Sequence, residues 1–148
     1  LATYPSSRGI LSGLTNPSCK KIGMIGELWL ADKLRNQGYL VAMGIQGQKK
    51  GDLSATDPRS GELIRIEVKT ARRGKNGKWK FTLVKTGCTD HRHADVVALL
   101  AVMDSGRVVT FIVPVEALAK QRQAVISSHP ERYKGKLAQW RKRDLFLC

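Results

Sequence analysis

Acidic residues are scarce in this chain. Its 148 residues hold 12 Asp and Glu against 26 Lys and Arg, a net charge of +14. That excess is larger than solubility requires, and it favours a polyanionic partner. Nucleic acid is the first candidate and an anionic membrane surface the second. The membrane reading lacks an anchor, because the longest apolar run, "VVALLAVM", is only as long as a strand, so no membrane span or signal peptide is expected. Cysteine is equally sparse. Cys19, Cys88 and Cys148 are odd in number and scattered, which excludes a disulfide framework and points to a reducing, intracellular compartment, cytoplasmic or nucleoid-associated. The segment "CTDHRH" offers Cys88, His91 and His93 to a zinc ion, but a fourth ligand and a repeated ligand pair are missing, so a structural zinc is not expected.

What is present fits one domain with one core, since a chain of this length buries a sizeable interior but does not divide comfortably in two. Residues 1–18, with their Pro, Ser, Gly and Asn, read as a flexible N-terminal arm, and residues 19–148 as the single domain. From Cys19 to Gln37 the residues Ile22, Ile25, Trp29, Leu30 and Leu34 recur at helical spacing, and Gly38 stops the helix. "YLVAM", "DLSAT" and "ELIRIEVK" are strand-like, with "DPRSG" as the turn of a hairpin between the last two. "KWKFTLV" predicts a fourth strand, and "ADVVALLAV" and "VVTFIV" two buried strands joined by "MDSGR". Helices are predicted from about Pro114 to Ala124 and from Pro130 to about Arg143, the second basic, with Tyr133, Leu137 and Trp140 on one stripe. The expected architecture is α/β, a central mixed sheet flanked by helices.

The chemistry gathers on one strand. Alternation in "LIRIEVK" sends Ile64, Ile66 and Val68 to one face and Leu63, Arg65, Glu67 and Lys69 to the other. Folding the hairpin in a register that suits both apolar patterns brings Asp52 opposite or diagonal to Glu67, on the same face. Two carboxylates so placed repel unless a cation lies between them, and hard oxygen ligands suit Mg²⁺, with Mn²⁺ able to substitute. Lys69 adds a point charge that could orient or deprotonate an attacking water or offset charge on a phosphorane. Glu27, beside Gly23 and Gly26, which would let the helix approach the sheet, is either an ordinary boundary residue or an acid turned inward to the metal. The competing reading of Glu67 and Lys69 is a solvated ion pair on an edge strand.

Following Lys69, the bases Arg72, Arg73, Lys75, Lys78 and Lys80 are interrupted by no acid, and Gly74 and Gly77 loosen the chain. A flexible basic loop there would hold phosphates on either side of a scissile one. Lys49 and Lys50 could clamp the backbone just before Asp52, and His91 and Arg92 either touch phosphate or cap the strand that begins at Ala94. Lys134, Lys136, Arg141, Lys142 and Arg143 could extend this surface or a subunit contact.

The pattern "GE" at 26–27, "GD" at 51–52 and "EVK" at 67–69, in the order helix, strand, strand, resembles the PD-(D/E)XK nuclease superfamily with its restriction-endonuclease-like fold. The likeness runs from about Ile22 to Leu118. Within it the chain is similar to small Holliday-junction resolvases and, through "VKTARRGKNGKWKF" and "FIVPVEAL", to intron-encoded homing endonucleases. A Gly stands before Asp52 where the motif has Pro. The resemblance implies a Mg²⁺-dependent DNA endonuclease in which Asp52 and Glu67 hold the metal, Lys69 is the catalytic lysine and Glu27 supports the metal site. It also implies a double-stranded or branched DNA substrate. Since one centre cuts one strand, a homodimer or a dimer of dimers is expected. The alternative is a non-catalytic basic DNA-binding protein that keeps the nuclease fold.

Overall fold

The structure is a computed structural model describing residues 19–44, 52–83 and 94–142, without the side chains of Cys19 and Lys20. The arm at residues 1–18 and the candidates Lys49, Lys50, His91, Arg92 and Arg143 lie outside the described residues, as do Cys88 and His93.

Among the described residues, one α-helix, α1 (Cys19–Asn36), precedes eight strands: β1 (Leu40–Met43), β2 (Leu53–Thr56), β3 (Leu63–Arg72), β4 (Trp79–Thr82), β5 (Val96–Val102), β6 (Val108–Pro114), β7 (Gln123–Ile126) and β8 (Arg141–Lys142). Helix α1 ends where Gly38 takes a φ of +94°, a conformation cheap only for glycine, and Tyr39 N–H turns back to the Leu34 carbonyl at 3.0 Å. The six-stranded sheet has the order β1-β2-β3-β5-β6-β8 and is mixed, since β3 and β5 run parallel while their other neighbours are antiparallel. Its central strands are apolar on both faces because both faces are covered.

On one face Trp29, Leu30 and Leu34 of α1 pack with Ile66, Val68, Leu100 and Ile112. On the other, Val97, Leu99, Phe111 and Val113 meet Trp79, Phe81 and Ile126. These last three come from a separate two-stranded sheet, β4 with β7. Trp79 is anchored there by its indole N–H, which donates to the Val102 carbonyl at 3.0 Å.

That second sheet replaces one expected helix. After Pro114 the chain makes only a short 3-10 turn, Val115–Leu118, then becomes extended at Ala119 and left-handed at Lys120 (φ +66°) before entering β7. In β7, Ala124 and Ile126 are buried while Gln123 is exposed, a period of two that supplies the partner strand β4 needs. The basic C-terminal helix is absent as well. Two 3-10 turns, Pro130–Arg132 and Ala138–Trp140, lead into β8, with the Tyr133 ring folded over Gly135, where a side chain would collide with it. The side-chain stripe survives without the helix: Leu137 is buried, Tyr133 and Trp140 pack on the same core, and Tyr133 meets Phe111 edge to face at 6.1 Å. The sheet is therefore flanked by a helix on one face and a β-ribbon on the other.

Candidate active site

The β2–β3 ladder decides where the acids meet. Its last rung pairs Leu53 with Ile66, and continuing that register sets Asp52 opposite Glu67. There β2 stops, whereas β3 continues to Arg72 paired with β5 alone of the two. Asp52 closes the opening: its Oδ2 accepts the Val68 backbone N–H at 2.8 Å, taking the place of the next strand rung. A carboxylate so held has its second oxygen available for other work.

Glu67 is 9 % exposed, and Lys69 Nζ lies 3.8 Å from its Oε1. That separation is long for a hydrogen bond and leaves the pair loose. Because β3 is interior to the sheet and Glu67 is buried, the reading of a solvated ion pair on an edge strand is incorrect. Glu27 reaches the same place from α1. Burial, then the Asp52 charge, push its carboxyl up to about 7, against a smaller opposing pull from Lys69. Glu67 is likewise pushed up to about 7 by burial first, then by Asp52 and Glu27, with Lys69 opposing. Burial raises Asp52 too, partly countered by the Val68 N–H and by Lys69. Three acids and one lysine thus feel one another, and the lysine does not neutralise the set.

Among the described residues, no three His, Cys, Asp or Glu side chains come close enough to enclose an ion by themselves. The donor chemistry nevertheless fits Mg²⁺, which keeps several waters and needs only one or two carboxylates. Asp52 and Glu67, register neighbours with too little positive charge around them, are the pair that could hold it.

Helix α1 comes near because of Gly26. A Cβ there would run into Thr70 Oγ1, which is itself buried with no hydrogen-bond partner. The expected close approach belongs to Gly26 and not to Gly23, around which space is open. Thr70 is the residue near the site that sequence reasoning passed over. Its place one residue beyond Lys69, on the helix-facing side of β3, follows from strand alternation and was the available signal.

The basic segment after Lys69 is a built hairpin and not a loose loop. Arg73 bridges to Trp79, Gly74 and Lys78 are joined by a 2.7 Å backbone hydrogen bond, and Asn76 Oδ1 accepts the Lys78 N–H. Arg72, Lys75, Lys78 and Lys80 are exposed along it. Arg73 meets in space the acid its sequence neighbours lack, an ion pair with Asp104 at 2.7 Å. Both partners are half exposed or more, so a phosphate could displace the acid at little cost. Arg141 is committed to structure, donating to the Pro130 and Tyr133 carbonyls, whereas Lys134 and Lys136 are exposed. No helix of the described residues is long and apolar enough to cross a membrane.

Neither a protein-family model nor a curated protein sequence matches the chain. Among solved structures, the fold is similar to that of a bacterial homing endonuclease, I-Ssp6803I, with a TM-score of 0.64 and 17 % sequence identity over 85 % of this chain and 88 % of that one. At that identity the likeness is one of fold: a mixed α/β sheet architecture shared with a homing endonuclease.

Proposed function

We propose that the protein is a Mg²⁺-dependent DNA endonuclease of the PD-(D/E)XK kind, closer to homing than to junction-resolving enzymes. The observation that carries this reading is the meeting of Asp52 and Glu67 where β2 ends, both raised by burial, with Lys69 beside them. The shared fold with a homing endonuclease supports the homing type, and the net charge of +14 supports the DNA partner.

Bound Mg²⁺ would supply a Lewis acid for the phosphate and a water of lowered pKa. Asp52, fixed by the Val68 N–H, and Glu67 present the oxygens that hold it. Lys69 Nζ, 3.8 Å from Glu67, would stabilise charge on the phosphate as it develops, or orient the water. Glu27 balances the lysine from the helix side. Lys75 and Lys78, with Lys49, Lys50, His91 and Arg92, would neutralise flanking phosphates. Cutting both strands of a duplex takes two such centres, which is the reason to propose a homodimer or a dimer of dimers.

The deciding experiment is cleavage of a labelled panel of long duplex, mobile four-way junction, single-stranded DNA and structured RNA. Each substrate is tested with Mg²⁺, Mn²⁺ and chelator, and with Glu67→Ala as control. Metal-dependent cutting at discrete duplex sites, lost in the variant, is expected. Paired nicks confined to the junction would make the protein a resolvase. Tight binding without cleavage under any divalent ion would leave the non-catalytic binding protein.

A further inference from the structure

The outer face of the β4–β7 ribbon is assembled from residues that the expected helix had kept apart. In its register Lys80 stands opposite Val125 and Thr82 opposite Gln123, and directly opposed residues share a face. The inner face, Trp79, Phe81, Ala124 and Ile126, is buried on the sheet. Lys80, Thr82 and Gln123 are therefore turned to solvent, and none of the three side chains makes a hydrogen bond or ion pair among the described residues. Among the described residues, no acid of either strand lies on this face. Gln123 also borders an open cleft of about 430 Å³ to which Gln121 and Gln139 contribute, so amide groups continue beyond the ribbon.

The ribbon is tethered to the candidate active site. Strand β3 carries Glu67 and Lys69 and turns at Arg73, bridged to Trp79, directly into β4. From Lys69 to Arg73 an extended strand rises about 13 Å, or roughly four base-pair steps along a DNA strand.

We infer that this ribbon reads base edges in the major groove beside the cleavage position, with Lys80 and Gln123 as specificity-determining residues and Thr82 and Val125 as methyl contacts. The inference rests on the proposed DNA substrate and goes beyond it, from backbone binding to sequence recognition. A two-stranded antiparallel ribbon fits the major groove, and the side chains match its code: lysine to guanine O6 and N7, glutamine bidentate to adenine N6 and N7, threonine and valine methyls to the thymine methyl. A face built only to grip phosphates would need more charge than the single Lys80 and would have no use for Gln123, Thr82 and Val125 beside it.

The test separates reading from cutting. The full-length protein is incubated with a randomised duplex library in the presence of chelator, and the bound pool is sequenced for wild type, Gln123→Ala, Lys80→Ala and, as a hairpin-tip comparison, Lys75→Ala. All are checked by circular dichroism melting. Wild type is expected to enrich a motif. Gln123→Ala should lose base preference at one or two adjacent positions, keep the rest, and bind the best site about ten to a hundred times more weakly. Lys80→Ala should relax a neighbouring position, whereas Lys75→Ala should weaken all sequences alike. A cleavage assay on the same motif then places the affected positions within about five base pairs of the cut. An unchanged motif in both ribbon variants, or a wild type that enriches none, would overturn the inference. Failure of the nuclease reading would show separately, as a motif that is bound and never cut when Mg²⁺ is restored.

Discussion

Replacing Glu67 by glutamine removes a charge from a place where the metal-free protein holds it at a cost. In the unfolded chain this carboxyl ionises near 4.5, and in the folded protein burial and its acidic neighbours push it up to about 7. Between those values the folded state keeps a proton that the unfolded state has released, so stability falls as pH rises through that window. The penalty is absent below 4.5 and complete above 7. Each pH unit between the two values is worth about 1.36 kcal/mol, which makes about 3.4 kcal/mol an upper figure above neutrality. Solvent access to the site and the sharing of repulsion with Asp52 and Glu27 reduce this to about 1.5–2 kcal/mol. For a chain of this size that corresponds to a Tm higher by about 5–8 °C. Thermal melts of wild type and Glu67→Gln, both with chelator, should differ by that much at about pH 8 and converge at about pH 4. Saturating Mg²⁺ should raise the wild-type Tm near pH 8, with little effect near pH 5 where Glu67 and Glu27 hold protons, and should leave the variant nearly unmoved. A variant less stable than wild type at pH 8, or an equal difference at both pH values, would refute the reasoning, because the acids would then not be in electrostatic conflict.

Lys69→Ala should abolish most cleavage, by about 10²-fold or more in kcat, while leaving duplex affinity in chelator within about threefold; single-turnover cleavage and anisotropy titrations check the two halves. Gly26→Ala drives a methyl into Thr70, and a loss of about 1–3 kcal/mol of stability is expected from the overpacking. Thr70→Gly in the same chain should restore part of it in urea melts, since it removes the atoms struck. Lys75→Ala and Lys78→Ala should each reduce the slope of log affinity against log salt by about 1, measured on any duplex.

Most of the sheet was legible in sequence because alternation and apolar runs report local geometry. "DLSAT" and "ELIRIEVK" gave the register of Asp52 against Glu67, and the apolar runs gave β5 and β6. The errors lie after Pro114, where the local signal and the tertiary demand disagree. "EALAKQRQA" has good helix formers, and only the need of β4 for a partner strand explains why Gln123–Ile126 is extended. In residues 130–142 the spacing of Tyr133, Leu137 and Trp140 correctly named side chains that pack on the core. The backbone that delivers them was set by Gly135 and by the pairing of Arg141 with Phe111, neither of which periodicity registers.

The site was legible for a different reason from the fold. Asp52, Glu67 and Lys69 lie within one hairpin, so strand alternation alone could bring them together, whereas Glu27 depends on where a helix docks across the sheet. That docking rests on a missing side chain: with Gly26 against Thr70 the helix comes close enough for Glu27 to feel Asp52 and Lys69. The same closeness raises the electrostatic cost of the metal-free state, since each added acid lifts its neighbours. The ending of β2 at Leu53 leaves Val68 N–H to a carboxylate in place of a strand, so the sheet gives up a backbone rung at the point where it gains an oxygen ligand. Raised acids, an interrupted ladder and a tight helix contact are local costs that coincide at one place. A shared cation would relieve the first of them, which is why the response of stability to Mg²⁺ and pH probes the site directly even before any substrate is cut.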